Sequence, residues 1–508
     1  MIGGRAPSLA AGRAPTAVSA VLLGAVVLGA AVLRFVDLGS NPGGLYPDEA
    51  AEGLDALRLL SVRGFHPVFF PDDGGREALF GYLVAAVFFV AGDSALTLRA
   101  TAAGIGVIAV VAIWLLARGF GRWTGLAAAA WAAGSLWLVC VSRDGMRNTL
   151  VPLLGALALA ALIAWSDRPS RRTAVLAGAT ASLAALYTYQ PLKLLPLLVV
   201  AWLLWLRRVD SQVWSQLRPS LAILAGTFAL VAIPMGLAAV SDPLNYFGRA
   251  AAVTPFNPMV DTHNSLIAHW LRTLGMFAVT GDPNARHDVA ELPLLGVPLT
   301  VAGLAGLARL WRMRRDGPHA LVLWSLPVFL LPPLFAVEGG APHFLRTLGL
   351  AAPLAVTIGL GLAELVERAA AASGDSARRM AAGATIGALV LLGVGSGMAY
   401  LTRPVADRYA AFSNELVAIA ERARAASAPA VILDAHSAIT VRFLAFHANP
   451  PVVIISPGSR LPEATTYDIV IARSRDDLAG ALGPSLAAGA QPIAFDPGGR
   501  PSAWSVPP

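Results

Sequence analysis

The residues most able to do chemistry are in Leu45-Tyr46-Pro47-Asp48-Glu49-Ala50, an acidic pair just beyond the first long apolar segment. Two adjacent carboxylates beside a bilayer cost solvation free energy unless a charged partner or a reacting group needs them. Pro47 suits a first helical position, so Asp48, Glu52 and Asp55 follow at i, i+4 and i+7 along one helix face, with Arg58 three residues further on. For Glu52 and Asp55 the expected reading is a solvated stripe on an amphipathic helix lying at the membrane surface. Asp48 and Glu49 sit at the start of that helix, with an aromatic residue and a proline fixing the approach. They are the candidate catalytic pair.

Cations recur at three other places. Ser142-Arg143-Asp144-Gly145-Met146-Arg147 carries two arginines at i and i+4, Tyr187-Thr188-Tyr189-Gln190-Pro191-Leu192-Lys193 sets a lysine beside two phenols, and Pro342-His343-Phe344-Leu345-Arg346 adds another cationic site. Arginine forks and lysine point charges both suit a phosphate dianion. Snorkelling to lipid headgroups is an equally good account of any one of them.

The elements that must position these groups cross a membrane. Hydrophobic residues make up 56% of the 508 and charged residues 14%, and apolar runs of roughly 20 residues recur between Val18 and Met398. A formal charge of +7 raises nucleic acid as a partner, but the arginines lie in short clusters between apolar runs rather than along one face, so nucleic-acid binding is not expected. Cys140 is the only cysteine, which excludes an intrachain disulfide and a multi-thiolate metal site; it reads as a small buried apolar residue.

The arginine clusters fix an expected topology. The stretch from Thr16 to Val36, preceded by Arg5 and Arg13, reads as a retained first helix with a cytoplasmic N-terminus. Arg118/Arg122, Arg168/Arg171/Arg172, Arg207/Arg208/Arg218, Arg312/Arg314/Arg315 and Arg368/Arg378/Arg379 form five basic loops that the positive-inside bias assigns to the cytoplasm. The segment Ala78 to Ala91 is about 14 residues against the roughly 20 a span needs, and counting it as a span would invert every later loop. It is expected as a juxtamembrane or re-entrant helix inside a first outer loop over 37–98. About eleven spanning helices follow, with the acidic pair, the cationic clusters and the C-terminus all on the outer face. A transporter would more often place ionisable groups mid-helix.

After Tyr400 the pattern changes. Ala430 to Asp434, Val452 to Ser456 and Asp468 to Ala472 are short apolar runs among Ala-rich helical stretches, which predicts a small α/β domain over 401–508 after a membrane domain over 1–400. Asp434 and His436 at strand ends read as ordinary loop polar residues, and the domain as a contact for acceptor or partner. No P-loop, no strand-borne GxGxxG and no HExxH occurs, which argues against a nucleotide-driven pump. Gly104-Ile105-Gly106 and Gly359-Leu360-Gly361 lie within spans, where small residues mean close helix packing.

The acidic loop, Gly75-Arg76-Glu77-Ala78-Leu79-Phe80-Gly81-Tyr82, Gly92-Asp93-Ser94 through Leu98-Arg99, Ser142-Arg143, Tyr187-Thr188-Tyr189 and Pro342 to Arg346, in that order, resemble the bacterial glycosyltransferase family 39. That group is similar to the protein O-mannosyltransferases and the lipid A aminoarabinose transferases, all of the GT-C fold, and the resemblance spans roughly residues 16 to 400. It implies an inverting enzyme of the cell membrane. Such an enzyme takes a sugar, mannose or another hexose or pentose, from a polyprenyl-phosphate donor and gives it to an extracytoplasmic protein, glycan or lipid acceptor. Asp48 matches the family's first-loop catalytic acid, Glu49 its acidic neighbour and Arg99 an arginine near the lipid phosphate. The chain departs at Glu77-Ala78-Leu79, where relatives often carry a cation followed by two prolines. With Asp48 as base for the acceptor hydroxyl, Arg99, Arg143, Arg147, Lys193 and Arg346 form the pool for a phosphate clamp. No metal or other cofactor is expected to be required. The rival readings are a lipid or solute transporter and an inactive scaffold of the same fold.

Overall fold

The computed structural model describes residues 17–72, 74–257, 265–289, 291–371, 395–434, 438–463 and 466–507. The helices that carry the membrane part and its loops are α1 (Ala17–Phe35), α2 (Pro47–Ser61), α3 (Leu79–Ala91), α4 (Ala95–Ala117), α5 (Arg122–Gly134), α6 (Leu136–Arg143), α7 (Leu150–Asp167) and α8 (Arg171–Leu186). They continue with α9 (Leu195–Val209), α10 (Ser211–Ser241), α11 (Pro243–Ala252), α12 (Leu266–Gly275), α13 (Gly296–Arg312), α14 (Gly317–Phe335) and α15 (Ala351–Ala371). Polar side chains start many of them. Ser94, Ser170, Asp210 and Asp316 each accept a backbone N–H of the following first turn, satisfying a donor the helix cannot.

Among the described residues six helices are long and apolar enough to cross a membrane, or seven if α5 and α6, bent by 56° at Ser135, form one span. The chain is a multi-pass membrane protein, and the described residues do not by themselves confirm the expected count of about eleven. Several expected spans, α8, α9 and α13, are helices of only 15 to 17 residues, and 372–394, which holds most of the last expected span, lies outside the described residues. α3 has 13 residues, about 20 Å at 1.5 Å per residue, short of the roughly 30 Å hydrocarbon core.

α15 lies in the centre of the helical core and packs closely on α13. A Cβ on Gly361 would run into the Ala302 carbonyl, and one on Gly306 into that of Thr357, so only hydrogen fits at the crossing. Gly106 and Gly359 make similar close approaches to Ser142 and Thr124, whereas Gly104 faces open space. Trp131, Trp137, Trp165 and Trp202 are fully buried, and the indole N–H of Trp137 is donated to the Phe344 carbonyl at 3.0 Å, fixing the loop that carries His343.

Two strands, β1 (Phe69–Phe70) and β2 (Arg76–Glu77), pair antiparallel between α2 and α3. At the C-terminal end, β3 (Ala430–Leu433), β4 (Val453–Ile455), β5 (Ile469–Ala472), β6 (Gln491–Phe495) and β7 (Pro501–Val506) form one sheet in the order β4-β3-β5-β7-β6. β3 runs parallel to β4 and β5, and β7 antiparallel to β5 and β6. The helix Ala438–Leu444 carries this unit onto α2: Phe443 packs where a Gly53 Cβ would be, and the Thr440 hydroxyl donates to the Leu45 carbonyl at 3.2 Å. Asp434 ends β3 in a buried position, and His436 lies outside the described residues.

Candidate active site

The first turn of α2 is built around Glu49. Tyr46 stands at the N-cap in extended conformation and Pro47 occupies the first helical position. Glu49, fully buried, reaches back to the Tyr46 N–H at 3.3 Å, accepts the Gly145 N–H at 2.9 Å and takes a bidentate fork from Arg99 at 2.9 and 3.0 Å. The same guanidinium donates to the Pro42 carbonyl at 2.8 Å and to that of Gly44. Gly44 has no room for a side chain, because a Cβ would meet the Phe412 carbonyl. One buried ion pair therefore pins α2, α4, the 42–44 turn and the 143–146 turn together.

Asp48 is different. It is partly exposed, and among the described residues nothing donates a hydrogen bond to its carboxylate and no cation pairs with it. The pinned turn holds it in place without using its charge.

The expectation that Glu52 and Asp55 form a solvated stripe is overturned. Glu52 is fully buried and Asp55 1% exposed. Arg147 donates to Glu52 at 2.9 Å and to Glu77 at 3.0 Å, Lys193 lies 3.1 Å from Glu77, and Arg76 donates twice to Asp55, at 2.6 and 3.0 Å. The acidic face meets not water but arginines from other segments. Only Arg58 and Asp72, 3.1 Å apart, remain at the surface. Burial pushes the Glu52 carboxyl up against the pull of Arg147. For Glu77 burial acts in the same direction, but Lys193 and Arg147 outweigh it and hold the carboxyl below its ordinary value. Glu77 therefore gathers two cations, Arg147 and Lys193.

The five candidate phosphate ligands divide in two. Arg99 is spent on Glu49; Arg143, fully buried, donates to the Leu33 and Asn41 carbonyls at 2.9 and 2.8 Å and stacks on Tyr400; Arg147 bridges two carboxylates. Lys193 and Arg346 keep 21% and 13% of their side chains exposed, Lys193 over the Tyr246 ring and Arg346 donating to the Ala336 carbonyl. Asp144 is buried with neither oxygen hydrogen-bonded among the described residues, and burial followed by the Glu49 charge pushes its carboxyl well up.

Sequence reasoning did not single out three further groups. Arg286 places its guanidinium 3.5 Å from the ring centre of Tyr46, the residue two before Asp48. Asp282 accepts from His287 at 2.8 Å and from the Phe344 N–H at 2.7 Å. Arg34, buried in the last turn of α1, donates to the Ala132 and Ala133 carbonyls. Gly281-Asp282-Pro283-Asn284 reads as an ordinary turn, and only the nearby histidine hinted otherwise. Between α13, α14 and α15 lies an apolar cavity of about 420 Å³, lined by Phe277, Leu304, Trp311, Trp324, Leu330 and Leu354 among others.

The sequence model of the dolichyl-phosphate-mannose-protein mannosyltransferase family matches residues 77–236. No curated protein matches the chain. Among solved structures, ArnT from Cupriavidus metallidurans bound to undecaprenyl phosphate shares 15% identity at a TM-score of 0.59, covering 96% of this chain and 97% of its own. Its apo form gives a TM-score of 0.60 over the same coverage. The Archaeoglobus fulgidus oligosaccharyltransferase, in complex with Zn and sulfate, shares 14% identity at a TM-score of 0.51, covering 94% of this chain and 72% of its own. The fold is shared with ArnT over nearly the whole of both chains. The matched segment runs from Glu77 through most of α10, so this part of the chain is similar to the mannosyltransferase family while the fold as a whole is that of ArnT.

Proposed function

We propose that this protein transfers a sugar from a polyprenyl-phosphate donor to an extracytoplasmic acceptor, with inversion at the anomeric carbon and Asp48 as general base. The observation that carries the reading is the contrast within α2: of its four carboxylates, Glu49, Glu52 and Asp55 are buried and paired, while Asp48 is partly exposed and has no partner among the described residues. The acceptor O–H gives its proton to an Asp48 oxygen, the acceptor oxygen bonds to the anomeric carbon from the face opposite the phosphate, and the carbon–oxygen bond to the phosphate breaks. Polyprenyl phosphate leaves with the electron pair. A donor already activated on its lipid needs no nucleotide pocket, and the step as written needs no metal.

Lys193 and Arg346 are the cations best placed to meet the leaving phosphate, because they retain exposure; Arg99, Arg143 and Arg147 act behind them by holding the loops. The apolar cavity of α13 to α15 suits part of an isoprenoid chain. The fold's match to a structure of ArnT bound to undecaprenyl phosphate supports this class of donor, and the mannosyltransferase family match supports mannose, another hexose or a pentose as the sugar. We place the site on the outer face of the cell membrane and give residues 401–508 the role of touching the acceptor and bracing α2.

Incubating the purified protein with polyprenyl-phosphate mannose and a cell-envelope fraction tests the proposal. Sugar should leave the carrier, and Asp48→Asn should slow transfer by about 100- to 10,000-fold, the usual loss for a general base. Near-normal transfer by that variant would end the case for Asp48. Ion-coupled uptake without transfer would establish the transporter instead.

A further inference from the structure

The turn that leads into α2 is built against the C-terminal unit. A Cβ on Gly43 would stand 2.9 Å from Asn414 Nδ2, and one on Gly44 would run into the Phe412 carbonyl and Asn414 Oδ1. Neither glycine has the left-handed backbone that favours its kind, so this contact, rather than conformation, is what excludes a side chain. Three features of 412–414 exceed what docking two units requires. Ser413 is held at φ 50°, in the left-handed region, and such strain persists only where the surroundings over-determine it. Asn414 stands at the N-cap of the helix Glu415–Arg424, where asparagine normally accepts a first-turn N–H, yet its side chain caps nothing. Its Oδ1 is turned into the contact instead, shielded from water and without a hydrogen-bond partner among the described residues. Phe412 is fully buried, its ring centre 5.8 Å from the Arg99 guanidinium.

We propose that Phe412, Ser413 and Asn414 are a positioning element for the transfer step, with Asn414 as the side chain that sets where Asp48 stands; the inference rests on Asp48 being the base. The route is one of direct contact. Asn414 and the Phe412 carbonyl press on the bare Cα atoms of Gly43 and Gly44, and the Gly44 carbonyl, with that of Pro42, accepts from Arg99. Arg99 forks onto Glu49, which holds the first turn of α2 and so its neighbour Asp48. The Thr440 hydroxyl adds a hydrogen bond to the Leu45 carbonyl at 3.2 Å. The three residues before the Tyr46 N-cap therefore each meet the C-terminal unit. Moving a reacting group by about an ångström is enough to cost on the order of 100-fold in rate. Donor binding should not follow, because Lys193 and Arg346 are held by other groups, Glu77 and the Ala336 carbonyl.

The test is steady-state transfer by the full chain in detergent, with polyprenyl-phosphate mannose at varied concentration and a cell-envelope fraction as acceptor. Asn414→Ala should lower kcat about 10- to 100-fold and leave the donor KM within about threefold, with an unfolding midpoint within roughly 3 °C of wild type. Gly44→Ala drives a methyl group onto the same contact from the opposite side and should show the same split of kcat from KM; it carries the test if Asn414→Ala fails to fold. In an Asp48→Asn background Asn414→Ala should cost little more, because a base that no longer accepts a proton has no position to lose. Wild-type kcat in either folded variant overturns the proposal, as does a loss confined to KM, or an equal loss with and without the Asp48 carboxylate. An inactive Asp48→Asn beside a normal Asn414→Ala removes this inference alone, whereas normal transfer by Asp48→Asn removes the assignment of the base and this inference with it.

Discussion

Glu49→Gln removes one negative charge from the pin of α2 and leaves its shape almost intact. The carboxylate is fully buried and accepts from Arg99 at 2.9 and 3.0 Å and from Gly145 at 2.9 Å. In the variant the amide can keep one acceptor, but its NH2 then faces a donor and Arg99 is left as a buried charge without its counter-charge. Breaking one side of a buried pair costs about 3–5 kcal/mol. Arg99 keeps the Pro42 and Gly44 carbonyls, so the lower end of that range applies here. The assay is the midpoint of heat-induced loss of the monodisperse species in detergent for Glu49→Gln, Arg99→Met and the double variant. Each single variant should lose on the order of 5–10 °C, and the double variant clearly less than their sum, because removing both charges leaves none stranded. A wild-type midpoint for Glu49→Gln, or single effects that simply add, would refute the reasoning that this pair pins the turn.

Three further outcomes are expected. Lys193→Ala should raise the KM for donor about 10- to 100-fold, the value of one charge-assisted hydrogen bond of roughly 1.5–3 kcal/mol, with little change in stability because Arg147 still holds Glu77; an unchanged KM moves the phosphate contact to Arg346. Glu77→Gln should be less stable than wild type at pH 7, and the difference should shrink as pH falls below the ordinary 4.5, since a carboxyl held low stabilises the fold above its unfolded value and loses that effect as it protonates. A difference that grows on acidification contradicts this sign. Gly361→Ala should force α15 away from α13 at the Ala302 carbonyl and cost about 1–3 kcal/mol, read as a lower unfolding midpoint; no change would mean that the crossing yields freely.

Helical spacing identified the acidic face of α2 correctly and misjudged what covers it. Periodicity reports which side chains share a face; whether that face meets water depends on partners elsewhere, here Arg147, 95 residues after Glu52, and Arg76, 21 after Asp55. The three parallel strands of the C-terminal sheet were legible as apolar runs at Ala430, Val453 and Ile469: β3 and β5 are buried and continuously apolar, and the edge strand β4, half-buried, is equally apolar. β6 and β7 were not, since Pro492 and Pro501 and exposed positions break the pattern in antiparallel strands. Among the cations, residue type suggested phosphate for all five, yet burial separates Lys193 and Arg346 from three arginines that hold the chain to itself. No sequence rule distinguishes an arginine that binds a ligand from one that caps a turn of its own loop.

The pairing around α2 also decides which acid can act as base. Glu49, Glu52, Asp55 and Glu77 are balanced by Arg99, Arg147, Arg76 and Lys193, four acids against four cations. A proton taken by Glu49 would strand Arg99 in the interior, which makes each turnover climb part of the cost of breaking that pair. Asp48 has no partner among the described residues, so it accepts a proton without stranding any of their cations. The two neighbours should therefore separate in experiment. Asp48→Asn should remove transfer at wild-type stability, whereas Glu49→Gln should lower stability first and reduce transfer only as far as the turn that carries Asp48 is loosened. If instead Glu49→Gln abolishes transfer while unfolding at the wild-type temperature, the base is Glu49, and the Arg99 pair is part of the chemistry rather than its support.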